Sequence, residues 1–324
     1  MSGQTERVAP PVANVVAAFA AVYIIWGSTY LGILFAIETL PPFLMAGVRF
    51  LVAGTVLYAW VRLRGARRPT RAEWVATGII GALLITAGNG AVTWAEQSVP
   101  SGVAALLVAV VPFFMVLFEW LRPGGVRPTL RVGFGLLLGF VGIALLVGPG
   151  ELGGEAVDPL GAIVLMAGAI SWAAGSIYSR GAKLPPAPLL TTAMQMLAGG
   201  ALLLLIGLFT GETTRVALDA ISMSSLVALL YLIVFGSLIG YTAYVWLLKV
   251  STPARVSTYA YVNPVVAVFL GWAVANEPLT PRVLVAAAVI LGSVAVITIS
   301  RRNADADAKP QRTRRRSLRT RNAA

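Results

Sequence analysis

A chain of 324 residues that is 58% hydrophobic and only 12% charged, with a mean hydropathy of +0.83, has too little polar surface for a soluble domain of its size. It contains neither cysteine nor histidine. That excludes disulfides, thiol chemistry, Cys/His metal sites, the H-E-x-x-H zinc motif and any histidine-based triad. The net charge of +12 resembles that of a nucleic-acid binder, but nine of the 25 basic residues lie in 301–324 and the rest of the chain is nearly neutral, so nucleic acid is not an expected partner.

Residues 1–11 read as a short tail. The apolar run 12–37 is too long for the h-region of a signal peptide and reads as a retained first span. Further runs follow at 43–62, 74–96, 100–121 and 131–148. Beyond an acidic loop at 149–158 come 159–180, 188–210, 223–248, 254–275 and 281–300. Most approach the roughly 20 apolar residues that cross a hydrocarbon core of about 30 Å. Pro-containing joints such as Pro41-Pro42, Pro100, Pro185-Pro186 and Pro278 separate several of them. Lipid offers backbone groups no partner, so helices are the expected form, and the alternating strands of a β-barrel are missing. The expectation is an all-α membrane protein of ten transmembrane helices, closed by a disordered basic tail at 301–324 that attracts anionic lipid.

Orientation follows from the basic residues of the joints. With a cytoplasmic N-terminus, 22 of the 25 fall on the inner side, leaving Arg49, Arg215 and Arg282 on the outer half. Both termini are then cytoplasmic.

The two halves echo one another. Trp26-Gly27-Ser28 has a counterpart in Trp172 to Ser176, each with a tyrosine soon after (Tyr30, Tyr178) and a Leu-Pro-Pro beyond (40–42, 184–186). Val110-Val111-Pro112 matches Val262-Asn263-Pro264, and Gly88 and Trp94 sit at the same offset from Gly240 and Trp246. Five spans per half is odd, so the second half enters the membrane from the opposite side. The expectation is two inverted five-helix repeats, 12–148 and 159–300, the arrangement behind alternating access in many secondary transporters. A duplicated scaffold is the bland alternative.

The stretches Tyr23-Ile24-Ile25-Trp26-Gly27-Ser28-Thr29-Tyr30, Met45-Ala46-Gly47-Val48-Arg49-Phe50, Gly88-Asn89-Gly90, Tyr259-Ala260-Tyr261-Val262-Asn263-Pro264 and Glu277-Pro278-Leu279-Thr280 resemble EamA-domain proteins of the drug/metabolite transporter superfamily. The resemblance runs from about residue 15 to 300 and leaves only the tails outside. It implies ten helices in two inverted repeats, inner-membrane location, and export of amino acids, metabolites or toxic compounds. The basic tail departs from the family pattern.

Polar side chains within spans are costly in lipid and mark an interior. Thr86, Asn89, Thr93 and Glu96 recur at helical spacing and form one stripe along the third span. The expected solute cavity combines Asn89 and Thr93 with Trp26 and Tyr30 of the first span, Trp172 and Ser176 of the sixth, Tyr241 and Tyr244 of the eighth, and Tyr259 and Asn263 of the ninth. Each taken singly has a structural alternative, since aromatics also form interfacial belts and hydroxyls bond their own backbone. Pro112 and Pro264 remove backbone hydrogen bonds at matching positions and are the expected hinges, a static bend being the alternative. Arg49 and Glu96 are the expected gate or coupling pair, with headgroup snorkelling of Arg49 as its alternative. The glycines Gly133, Gly135, Gly139 and Gly142 of the fifth span, with the tenth, suit helix packing or a homodimer. Small-molecule solute and membrane lipid are the expected partners; no catalytic residue, metal or cofactor is expected. An uncoupled facilitator, an intramembrane enzyme and a signalling or assembly protein stay open as rivals.

Overall fold

The computed structural model describes residues 11–122, 127–147, 157–251, 253–256 and 258–300; the expected N-terminal tail (but for its last residue), most of the acidic loop and the basic tail lie outside them. Among the described residues nine helices are long and apolar enough to cross a membrane: α1 (Val12–Ile37), α2 (Pro42–Leu63), α3 (Arg71–Ala95), α4 (Ser101–Leu121), α5 (Leu130–Val147), α6 (Pro159–Ser179), α7 (Pro188–Phe209), α8 (Met223–Leu248) and α10 (Pro281–Ser300). The tenth, α9 (Tyr259–Ala275), is shorter. The all-α expectation holds, and no strand occurs among the described residues.

Local chemistry sets the ends. Proline occupies the first turn of α2, α6 and α7, where a missing N–H costs nothing. α3 begins at Arg71, three residues before the apolar run, because Thr70 and Glu73 form a reciprocal capping box. α9 ends on Asn276 in the left-handed region (φ 54°), and the Glu277 N–H closes back on the Gly271 carbonyl at 3.0 Å.

Four spans depart from unbroken α-helices. α4 divides at residues 109–110, so Pro112 falls in the first turn of a second helical piece, Val111–Leu121. Pro264, by contrast, runs inside continuous α9. The two prolines therefore sit in unlike geometries. The expected start of the ninth span, at 254, forms its own short turn, Pro253–Val256, and α9 proper begins at Tyr259. Most informative, α3 and α8 each contain a π-helical stretch, Ala82–Asn89 and Leu232–Ile239. Such widened turns are rare and concentrate at functional sites.

The most extensive pairing among the described residues is between α2 and α7. Its closeness comes from glycine. A Cβ at Gly47 would meet Leu204, and one at Gly200 would meet Leu51; Gly54 faces Leu197, and Gly207 faces Leu44. One shift in sequence carries Gly47 to Gly200, Leu51 to Leu204, Gly54 to Gly207 and Leu44 to Leu197, so the seam is reciprocal, as an isologous contact is.

The glycines of α5 are used inside the molecule. Gly135 and Gly142 abut Ile297 and Ile290 of α10, and Gly139 abuts Phe113 of α4. Only Gly133 has open space around it. This packing leaves the expected homodimer without a glycine seam of its own on α5.

Candidate functional site

Trp26 comes from α1 and docks on α8. Its Nε1 donates to the Gly236 carbonyl at 3.1 Å within the π stretch, and a Cβ at Gly240 would collide with its ring. Trp172 of α6 lies in the same way over Gly88, in the π stretch of α3. The Trp and Gly pairs singled out by self-similarity are thus brought together crosswise, each tryptophan of one half on the glycine of the other.

Around Trp26 the structure gathers Tyr241, Tyr244 and Tyr259, with ring centres at 5.1, 5.1 and 5.3 Å. Tyr244 and Tyr259 meet edge to face at 5.8 Å. Four expected cavity residues therefore form one cluster, although here their rings pack on each other. Asn263 is buried in α9 below them, its amide nitrogen oriented to donate to the carbonyls of Tyr259 (3.2 Å) and Tyr23 (3.3 Å). An open groove beside the cluster, lined by Asn14, Ala17, Ala18, Leu238, Ile239, Thr242, Ala243 and Trp246, includes none of the expected residues.

The remaining polar side chains mostly follow the structural alternative. Thr93 donates to the Asn89 carbonyl at 2.9 Å, Ser176 to Trp172 at 2.8 Å, and Asn89 Nδ2 to Leu84 at 3.3 Å, five residues back. That last bond is a consequence of the π stretch. Thr86 donates to the Gly199 carbonyl of α7 at 3.1 Å, which ties α3 to the second half of the chain. Tyr30 packs against the main core.

Arg49 is buried (4% exposed) and does not snorkel. Its Nε donates to Ser237 Oγ of α8 at 3.1 Å, and its guanidinium lies 4.7 Å from the centre of the Phe50 ring. The expected partner, Glu96, is buried too (3% exposed), but among the described residues neither carboxylate oxygen accepts a hydrogen bond, and the pair does not meet as a salt bridge. The two groups remain within electrostatic reach of one another.

Sequence reasoning missed a set of ties at the end of the bundle that carries Glu96. Glu212, in the α7–α8 joint, accepts from the N–H groups of Phe43 (3.2 Å) and Leu44 (2.9 Å) at the start of α2. Glu277, just before α10, accepts from Ser101 (2.6 Å) and Gly102 (3.1 Å) at the start of α4. Both helices have proline at the N-cap, which offers no side-chain acceptor, so a carboxylate from the other half of the chain completes the cap. Arg282 is buried and donates to the Leu145 carbonyl at 2.6 Å near the end of α5. Asp158 caps α6 and accepts from Ser98 at 2.7 Å. The one advance signal was Glu-Pro before α10. At the opposite end, Glu119 pairs with Arg122 (2.5 Å) and Arg180 (3.1 Å), Arg67 pairs with Glu73, and Tyr23 bonds Thr258.

This bundle of apolar helices with polar and aromatic groups turned inward defines a multi-pass membrane protein. The EamA-like transporter family model matches residues 14–148 and again 159–299, most of the chain, and the chain belongs to that family, within the drug/metabolite transporter superfamily. It is 42% identical over 285 residues to YedA of Escherichia coli K12, described as an uncharacterized inner membrane transporter, covering 88% of this chain and 90% of that protein. Similarity extends to the uncharacterized transporter YvbV of Bacillus subtilis strain 168 (26%, over 86% and 89% of the two chains) and to the protein PecM of Dickeya dadantii strain 3937 (25%, over 84% and 88%). One solved crystal structure shares the fold with a TM-score of 0.60 at 23% identity, over 90% of this chain and 98% of the other.

Proposed function

We propose that the chain is a secondary transporter that exports small organic solutes across the inner membrane by alternating access. In this reading 12–148 and 159–300 are inverted repeats, both termini are cytoplasmic, and the end tied by Glu212 and Glu277 faces outward. The observation that carries the reading is the reciprocal docking of Trp26 on Gly240 and Trp172 on Gly88, each beside a π stretch. Two halves that contact each other by the same rule can exchange conformations, and the exchange turns a site open at one end into one open at the other. The reciprocal glycine seam of α2 and α7 supports the same relation. The inner-membrane placement is supported by the basic joints and by the printed description of the E. coli relative.

The solute class follows from the cluster. Trp26, Tyr241, Tyr244 and Tyr259 offer aromatic faces and hydroxyls with few fixed charges. Apolar or aromatic metabolites, zwitterionic amino acids and weakly cationic drugs fit such a lining. A phosphorylated solute would want more cations than Arg49 alone. The test is a metabolite-export screen of cells with and without the chain; no difference in any released solute at verified expression would end this reading. An uncoupled facilitator is the second reading, favoured because no Asp or Glu lies at mid-depth in a span. Vesicle uptake with and without an imposed pH gradient separates the two.

A further inference from the structure

Glu96 stands out among the acidic residues. It follows the last turn of α3, it is 3% exposed, and both oxygens lack any hydrogen-bond partner among the described residues. Tyr30 of α1, Arg49 of α2 and Glu277 of the joint before α10 lie within electrostatic reach of it. Each of these has its own position to hold. Arg49 Nε is engaged by Ser237, and Glu277 is bound to the N–H groups that start α4. Asp158, near in sequence through Ser98, is committed to the start of α6.

A buried carboxylate with no donor is a costly anion, and a nearby second carboxylate adds repulsion. As a neutral acid it is far cheaper to bury. We infer that Glu96 is a proton-binding site, occupied when this end of the bundle is closed and emptied to water when the end opens, which couples the gate to the proton gradient. The proton comes from and returns to the aqueous phase, converting carboxylate to acid and back. The Glu277 carboxyl is bound to helix N–H groups and the Glu96 carboxyl has no partner among the described residues, so Glu96 is the one free to take up and release a proton. This rests on the transport reading above only for the use made of the proton; the coupling of protonation to closure stands on the geometry. The sign follows from linkage. The closed form holds the extra proton, so raising the pH favours opening and lowering it favours closure.

The absence of native cysteine makes the test direct. Val99→Cys reports on closure, since Val99 is 2% exposed beside Glu96, and Gln97→Cys serves as the exposed reference. Both are labelled with a hydrophilic maleimide in lipid nanodiscs, where either face is accessible. The ratio of Val99→Cys to Gln97→Cys labelling is expected to rise with pH, by up to roughly tenfold for each pKa unit that separates the closed and open states of Glu96. With Glu96→Gln, a permanent neutral mimic, the ratio should stay low and flat. A flat ratio with Glu96 present, or the same rise with Glu96→Gln, overturns the inference. Should Glu96→Gln fail to insert, Glu96→Asp takes its place: the infrared band of a protonated carboxyl should titrate in the unsubstituted chain and move in that variant, and an unmoved band counts against Glu96. None of these readouts uses a solute. A failed export screen beside intact pH-dependent labelling would remove the transport reading and leave the proton site standing.

Discussion

Glu212 and Glu277 perform the same task at two helix starts where proline at the N-cap leaves the first N–H groups without a side-chain acceptor. Replacing Glu212 with Ala removes both acceptors from a site that is 3% exposed, so the loss should resemble or exceed that of an N-cap, about 0.5–2 kcal/mol. Thermal unfolding in detergent should show it, with Glu212→Gln milder because one oxygen remains. Asp158 offers a pH test at an exposed joint. The Ser98 hydroxyl, and then the Gly161 N–H, hold its carboxyl below the ordinary range. A depressed acid contributes its stabilisation above its unfolded pKa, about 3.9, and loses it as pH falls through the lower folded value. Ser98→Ala should therefore shrink that contribution and move its loss to higher pH, read as an acid-unfolding midpoint shifted upward. An unchanged midpoint would mean that Ser98 does not hold the carboxyl.

At the scale of elements the glycine seam between α2 and α7 sets how closely the halves approach. A Cβ at Gly47 would lie 2.8 Å from the Leu204 backbone nitrogen, and one at Gly200 would lie 2.9 Å from that of Leu51. Backbone cannot swing aside as a side-chain tip can, so Gly47→Ala and Gly200→Ala should each cost about 1–3 kcal/mol, with similar size because the contacts are reciprocal. The double variant should cost less than the sum, since one parting of the seam relieves both. Gly133→Ala is the control. Nothing lies within 4 Å of its Cβ, and an alanine there should leave stability unchanged or raise it by roughly 0.5–1 kcal/mol. If all three behave alike in thermal unfolding, the seam does not govern the pairing. The π stretches belong at this scale as well, because they place Gly88 and Gly240 under the two tryptophans.

For the whole molecule the question is whether the aromatic cluster serves cargo or only packing. Trp26 makes both kinds of contact, a bond to Gly236 and three ring contacts with tyrosines of α8 and α9. On the transport reading, Trp26→Leu should change the profile of exported solutes with a modest fall in stability. Trp172→Leu, its counterpart on Gly88, should do the same if the halves exchange roles. A large loss of stability with an unchanged profile in both variants would assign the tryptophans to packing.

What the sequence determined by itself is the class and the plan: ten apolar runs, prolines at several joints, and paired motifs that mark two related halves. These are local properties, set by span length against bilayer thickness and by chemistry within one turn of each helix end, and they are readable without a partner. Trp26, Tyr241, Tyr244 and Tyr259 were picked out together because aromatic side chains within spans mark an interior, and the structure brings them into one cluster. Only the tertiary structure decided who meets whom. Arg49 reaches Ser237 instead of Glu96, and Glu212 reaches Phe43 and Leu44 across most of the chain. Thr86, within the π stretch of α3, is bound to the Gly199 carbonyl of α7. Such outcomes depend on which helices pack together and at what depth, and no local pattern of residues encodes that.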